Sequence, residues 1–176
     1  RAAITGHLVL STLHTRDAMS APFRLLDMGI PAFMVSTSLQ AVIAQRLVRL
    51  NCVECAAPHA PSAQEQSWLS GLLAGTVPVN AKRGVGCSAC NGTGYSGRQG
   101  VYELLEMDAA LTQAASEGNP ATFLRAARER MSGQTMQFHA LELVRQGKTS
   151  LAEAMRIGFE VEDAYTDALP NIADKT

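Results

Sequence analysis

The residues of this 176-residue chain with the clearest capacity for chemistry are its four cysteines, which form two C-x-x-C pairs: Cys52 with Cys55, and Cys87 with Cys90. Two residues between sulfurs let one tight turn aim both thiolates at a single ion, and four thiolates complete a tetrahedral zinc shell. A closed shell leaves no position for water, so the ion would hold structure together and would not catalyse a reaction. The spacing therefore predicts a structural zinc site.

Two other uses of the cysteines remain open. A redox pair needs a C-x-x-C at a helix start with a neighbour that lowers a thiol pKa, and neither pair has that context. Disulfides form in oxidising compartments, but the chain opens without an apolar secretory leader and is long enough to fold without cross-links. Glycines that permit positive φ surround the second pair and favour the metal: Gly84, Gly86, Gly92 and Gly94.

Composition predicts a globular chain with a core. Hydrophobic residues make up 47% of the sequence and the net charge is −1, so no global charge recruits nucleic acid or anionic lipid. No apolar run approaches the ~20 residues that cross a bilayer, so we expect no direct membrane insertion. Residues 1–4 resemble neither a signal sequence nor a natural start, and we expect an excised fragment.

Hydrophobic patterns place the first elements in front of the cysteines. Residues 7–13 are apolar on both faces, which predicts a buried parallel strand. Asp17 predicts the start of a helix that runs to about Met28. A stripe at helical spacing then predicts a second helix that ends near three exposed polar residues. The stripe is Val35, Leu39, Val42, Ile43 and Leu47, and the exposed residues are Gln45, Arg46 and Arg49.

The remaining chain predicts an excursion from the sheet followed by helices. Residues 50–97 carry the cysteines and a short helix opened by a capping box, Ser62 with Glu65. Residues 101–105 read as a strand that returns to the sheet. From 108 onward the pattern is helical, and an acidic tail follows residue 160. The helix signals are Asn119 with Pro120, Gly133, Gly147, and a second capping box of Ser150 with Glu153.

Together these residues resemble a known family. Residues 5–15 strongly resemble the histidine box of the ATPases that power type II secretion and type IV pilus assembly. Further matching segments follow in the family's order, over residues 5 to about 158: 26–30, 45–47, 87–94 and 97–103. The two cysteine pairs favour the zinc-containing assembly and secretion branch, because the retraction motors of the same superfamily lack this module.

The resemblance implies an α/β fold, the rear half of a RecA-like P-loop NTPase domain with an inserted four-cysteine zinc module and a C-terminal helical subdomain. The implied parent is a homo-hexamer that hydrolyses ATP with Mg²⁺. Walker A and Walker B would lie upstream of residue 1, so we expect this fragment alone to be inactive. The implied divisions are 1–49 for the rear ATPase core, 50–97 for the zinc module, 98–107 for the returning strand, 108–160 for the helical subdomain and 161–176 for a flexible tail.

Four residues are candidates for the nucleotide site. His14 follows the carboxyl end of the predicted strand, where open α/β sheets bind ligands, and it could sense a γ-phosphate; an ordinary loop histidine is the alternative. The resemblance assigns His7 to the same box. Arg46 is a candidate phosphate-facing cation, with a helix-dipole partner or an interface salt bridge as the alternatives. Arg98 could shape the nucleotide pocket or pair within the sheet.

The resemblance also implies a setting for the zinc arm. It would contact an inner-membrane platform protein from the cytoplasm, so the chain would be cytoplasmic and peripheral to that membrane, and would bind no nucleic acid. The alternative is a zinc-stabilised interaction module. Residues 87–94 resemble one zinc-binding repeat of the J-domain co-chaperones. A zinc-ribbon protein that binds nucleic acid is a further option, although this module lacks the concentrated basic face that such binding needs.

Overall fold

A computed structural model describes residues 2–73 and 79–158 and mixes helices with two small sheets. The acidic tail expected over 161–176 lies outside the described residues. In the described part of the chain, no helix is both long and apolar enough to cross a membrane. The elements are α1 (Ala21–Asp27), α2 (Ala32–Ser38), β1 (Ala41–Asn51), β2 (Ala56–Pro58), α3 (Ala63–Leu73), β3 (Lys82–Gly84), a 3₁₀ turn (Ser88–Cys90), β4 (Tyr95–Glu106), α4 (Ala109–Ser116), α5 (Pro120–Arg130), α6 (Met136–Arg145) and α7 (residues 151–158).

The two sheets each contain two strands among the described residues. β1 pairs with β4, and β2 pairs with β3 in antiparallel register, with Ala57 opposite Arg83. The strand predicted over 101–105 is confirmed as part of β4. Its alternating burial, with Val101, Glu103 and Leu105 buried and residues 102, 104 and 106 exposed, follows from the period of two along a strand.

The buried strand predicted over 7–13 is wrong. Residues 7–15 adopt neither helix nor strand, and Leu8 and Leu10 are 89% and 87% exposed. A strand buried on both faces needs a paired strand beside it and a layer on each face to satisfy its backbone and cover its side chains. The described residues supply neither to this segment.

The second predicted helix is wrong beyond its first turns. α2 ends at Ser38, and β1 begins at Ala41, so Ile43 and Leu47 lie in a strand. They are 69% and 46% exposed, whereas Ala44 and Val48 are buried. The stripe misled because positions four apart satisfy both the helical repeat and the two-residue period of a strand.

Helix boundary signals gave better predictions. Ser62 and Glu65 form the expected capping box before α3, since each backbone N–H donates to the other's side chain at 2.7 and 3.3 Å. Asn119 caps α5, and Gly147, with φ of 70°, follows α6. Asp17 accepts from the Ser20 amide at 2.7 Å, but α1 begins only at Ala21, later than predicted.

The described chain divides into two compact units. One unit contains residues up to 44 and 102–135, and the other contains residues 45–101 with 136 onward. In the first, α2 packs on α4 and α4 on α5, and Phe23 meets Phe123 edge to face at 5.4 Å. The second buries a core from several elements, with fully covered side chains that include Val48, Val101, Leu141, Val144, Leu151 and Ile157.

Two adjacent leucines of β4 provide a matched test of this burial pattern. Leu105 is fully buried and Leu104 is 45% exposed. We expect Leu105→Ala to lower the free energy of unfolding by about 3 kcal/mol, because it leaves a cavity. Leu104→Ala should cost no more than about 0.5 kcal/mol. Urea denaturation of both variants measures the difference, and equal losses would contradict the assigned faces of β4.

Candidate metal centre

The four cysteine sulfurs converge on one point. Their Sγ atoms all lie within 4.8 Å of one another, with separations of 3.9 Å for Cys52–Cys87, 3.9 Å for Cys55–Cys90 and 3.7 Å for Cys87–Cys90. Four thiolates on a tetrahedral zinc ion, with Zn–S bonds of about 2.3 Å, lie about 3.8 Å apart. The sulfurs therefore have the spacing that one shared tetrahedral ion requires.

Strand ends deliver the two pairs to this point. Cys52 follows the last residue of β1, and Cys55 directly precedes β2. The β2–β3 ladder sets Ala56 opposite Gly84, which brings the chain before Cys87 beside Cys55. The Cys52 amide donates to the Gly94 carbonyl at 2.9 Å, just before β4 begins. This hydrogen bond therefore joins the two ends of the cysteine module, where β1 ends and β4 begins.

Backbone amides point at two of the sulfurs. Cys90 Sγ accepts from the Cys87 and Gly94 N–H groups at 3.2 Å each, and Cys55 Sγ accepts from the Gly86 N–H at 3.3 Å. Such donors orient thiolate ligands and stabilise their negative charge. Sequence analysis found the glycines but not this role for their amides, although a glycine next to a metal-spaced cysteine is the available signal.

Two of the thiols, those of Cys55 and Cys90, have pKa values shifted in opposite directions. The hydrogen bond from the Cys87 amide, with a second from Gly94, lowers the pKa of Cys90 to about 6 despite burial. Burial raises the pKa of Cys55 to about 11, against the opposing bond from Gly86. Backbone N–H donors thus favour the thiolate form of Cys90, the form in which cysteine binds metal.

Close backbone contacts explain the glycines. A Cβ on Gly84 would collide with the Gly94 carbonyl, and a Cβ on Gly94 would collide with the Gly84 carbonyl. Gly86 and Gly94 also have φ values of 97° and 76°, which disfavour other residues. The loop that carries Cys87 and Cys90 can close at its base only because Gly84 and Gly94 both lack side chains.

The other candidate residues do not join this cluster. His7 and His14 are exposed and belong to the first unit, where His7 Nδ1 lies 3.1 Å from Thr5 Oγ1. Arg46 and Arg98 belong to the second unit. Arg46 lies within β1 and not at a helix end, so its predicted interaction with a helix dipole is wrong; its guanidinium donates to the Gln45 carbonyl at 3.1 Å. Arg98 is an exposed residue of β4.

Glycine substitutions test the close approach that the centre needs. We expect Gly84→Ala to push the backbone of residue 84 away from Gly94. The variant should have at least severalfold less metal in the purified chain and a lower melting temperature. Gly71→Ala is the matched control, because Gly71 lies in α3 with no atom within 4 Å of an added Cβ. The control should match the parent or exceed its stability slightly. Full metal content in Gly84→Ala would contradict the collision.

Comparison with known proteins gives the family. A family model described as "Type II/IV secretion system protein" matches residues 1–156. "Type II secretion system protein E" of Aeromonas hydrophila is 42% identical over 89% of this chain, and "Type II secretion system ATPase E" of Vibrio cholerae is 40% identical over 89%. "Type IV pilus assembly ATPase PilB" of Thermus thermophilus is 38% identical over 88%.

The chain corresponds to only part of each relative. It spans 31% of the length of the Aeromonas and Vibrio proteins and 17% of the Thermus protein. The match includes the residues that resemble the histidine box and both cysteine pairs, and it ends within α7. With a sequence model covering most of its residues and relatives from both kinds of machine, the chain belongs to the type II/IV secretion system protein family.

Proposed function

We propose that this chain is the rear part of a RecA-like motor ATPase that drives type II secretion or type IV pilus assembly. The observation that carries the proposal is the family match over residues 1–156, with relatives named as ATPases of both machines. The parent would act as a homo-hexamer with ATP and Mg²⁺, and its phosphate loop and acidic metal-binding strand would precede this sequence. This chain alone would then lack half of a nucleotide site.

The divisions of the parent domain are part of the same proposal. Residues 1–49 supply the rear of the ATPase core, 50–97 form the zinc module, 98–107 return to the core sheet and 108–160 form the helical subdomain. Residues 161–176 form the tail. The position of the cysteine centre between the end of β1 and the start of β4 supports the module as an excursion from one pair of strands.

We propose zinc as the ion of the cysteine centre. The support is chemical and geometric: a cluster of four sulfurs to which the described residues add no oxygen or nitrogen ligand, separations of 3.7–3.9 Å for three pairs, and three amide donors to sulfur. Thiolates select zinc over hard cations such as magnesium and calcium. Zinc in a closed shell supplies on the order of 10 kcal/mol of apparent binding free energy, comparable with the stability of a domain.

His14 remains our candidate for a nucleotide-sensing residue. His14 does not follow the carboxyl end of a strand, because residues 7–15 adopt neither helix nor strand. The support is the resemblance of residues 5–15 to the family's histidine box. His7 is the second member of the box, and Arg46 and Arg98 are proposed as cations near the bound nucleotide. All four would act by positioning or charge, which is how phosphoryl transfer is catalysed.

The proposed setting follows from the relatives' machines. The zinc arm would contact a platform protein at the inner membrane, which places the parent in the cytoplasm at the membrane surface. The family match favours this motor over a co-chaperone-like or zinc-ribbon interaction module. An arm without catalytic groups would transmit the motion of the ring to that platform.

Cysteine substitution tests the structural role of the ion. We expect Cys87→Ser to release zinc and to increase amide hydrogen exchange across residues 52–94, because the module loses its cross-link. Exchange in α5, in the other compact unit, should stay at the parent's level. Ser88→Ala is the control, since Ser88 is the exposed first residue of the turn that follows Cys87. Parent-like protection across 52–94 in Cys87→Ser would refute the structural role.

ATP turnover tests the proposed activity. In the full-length parent, we expect His14→Ala to lower kcat about a hundredfold, the usual effect of removing one group that stabilises a transition state. ATP affinity, measured by equilibrium binding, should change much less. His139→Gln, at a histidine of α6, should retain full turnover. Turnover by this chain alone, or an unimpaired His14→Ala parent, would contradict the assignment.

A further inference from the structure

Glu153 of α7 is a buried carboxylate held by the strand that leads to the metal centre. Glu153 is 2% exposed. Its Oε1 accepts from Arg49 Nε at 3.0 Å and Nη2 at 2.8 Å, and its Oε2 accepts from the Arg49 backbone amide at 2.8 Å. Burial alone would raise the pKa of Glu153, but these bonds and one from Arg156 hold it below its ordinary value. The carboxylate is therefore ionised and bound to β1.

Tyr95, the first residue of β4, completes this arrangement. The Arg49 guanidinium carbon lies 4.1 Å from the centre of the Tyr95 ring, within the range of a cation–π contact. The Tyr95 hydroxyl lies 2.8 Å from Ser150 Oγ, just before α7. We name the group of Arg49, Tyr95, Ser150 and Glu153 the Arg49 latch. It joins both strands that frame the cysteine module to the start of one helix.

Asn51 makes a second connection beside the centre. Its amide donates to the Lys148 carbonyl at 2.8 Å, and its side chain donates to the carbonyls of Gly147 and Lys82 at 3.0 and 3.1 Å. Asn51 is buried and directly precedes the ligand Cys52. One side chain therefore connects the turn between α6 and α7 with β3 of the module.

The module also contacts α7 through its helix. An added Cβ on Gly158 would lie 2.9 Å from Trp68 Nε1 and 3.0 Å from Gln137 Nε2, so α3, α6 and α7 meet closely there. All of these residues belong to the same compact unit. The contacts thus reach from the metal centre to the described end of the chain.

Short links join the sulfurs to these contacts. Cys52 donates its amide to the Gly94 carbonyl, and the Gly94 amide donates to Cys90 Sγ. Asn51 is the residue before Cys52, and Tyr95 is the residue after Gly94. An ion that holds Cys52 and Cys90 together therefore also fixes the separation of Asn51 and Tyr95, from which α6 and α7 are bound.

We propose that the metal centre, α6 and α7 form one cooperative unit joined by the Arg49 latch, so that metal occupancy stabilises the two helices and the latch strengthens metal binding. This device rests on the proposed zinc site and extends its reach beyond residues 50–97. Without the ion, the closed loop of the module regains conformational freedom, and the latch must then restrain both strand ends unaided. The coupling is reciprocal, because a change in one equilibrium affects the other by the same factor.

Zinc affinity measures the coupling from one side. We expect Glu153→Gln to lower the affinity of the chain for Zn²⁺ about tenfold, in a competition titration against a chromophoric chelator. Tyr95→Phe removes only the bond to Ser150 and keeps the ring, and it should lower the affinity about threefold. It serves as the second variant if Glu153→Gln does not fold.

Two controls separate the latch from other effects. Glu142→Gln removes a carboxylate from the exposed face of α6 and should bind Zn²⁺ as the parent does. Phe123→Leu destabilises the core of the other compact unit, where Phe123 is 1% exposed, and it should also leave the affinity unchanged. An equal loss in Phe123→Leu would show general instability and would overturn the proposal.

Hydrogen exchange measures the coupling from the other side. Removal of zinc by a chelator should increase exchange in α6 and α7 together with residues 52–94, while α5 keeps its protection. Unchanged protection of α7, or equal Zn²⁺ affinity in Glu153→Gln and the parent, would overturn the latch but leave the zinc site standing. A parent that binds no zinc would overturn the site and the latch together.

Discussion

The close approach of four sulfurs is the constraint on which the second compact unit depends. It brings together two segments separated by 31 intervening residues, which the β2–β3 ladder alone, with three paired residues on each side, holds only weakly. The loop that carries Cys87 and Cys90 closes through bare backbone at Gly84 and Gly94, and backbone amides face Cys55 and Cys90. Ligand spacing, glycine placement and strand pairing therefore all contribute to bringing the four sulfurs together.

The ion pair of Arg49 and Glu153 connects β1 with α7 at a distance from the sulfurs. A buried ion pair is costly unless its groups are fully hydrogen-bonded, and Glu153 meets this condition with donors from β1 and from Arg156. Arg49 is half exposed, so solvent screens part of its charge, and the directional bonds matter more than the bare Coulomb attraction. The pair thus fixes which face of α7 meets β1.

Local signals in the sequence predicted the parts of the fold that depend on local chemistry. The cysteine cluster, the capping box before α3, the Asn119 cap and the β4 strand all follow from spacing or side-chain hydrogen bonds within a few residues. The errors arose where tertiary context decides. Val35, Leu39, Ile43 and Leu47, spaced four apart, fit both the helical and the strand period, and residues 7–13 match a buried strand that needs neighbours. The contact between Arg49 and Glu153, 104 positions apart, left no signal in a single sequence.

The exposed apolar segment near the start of the chain, residues 8–13, favours self-association. Residues 8–13 contain no charge and no proline, they combine β-branched with leucine side chains, and they belong to no helix or strand of the described structure. Such stretches associate with their own kind unless other polypeptide covers them. A purified preparation of this chain would therefore be prone to precipitate through this segment.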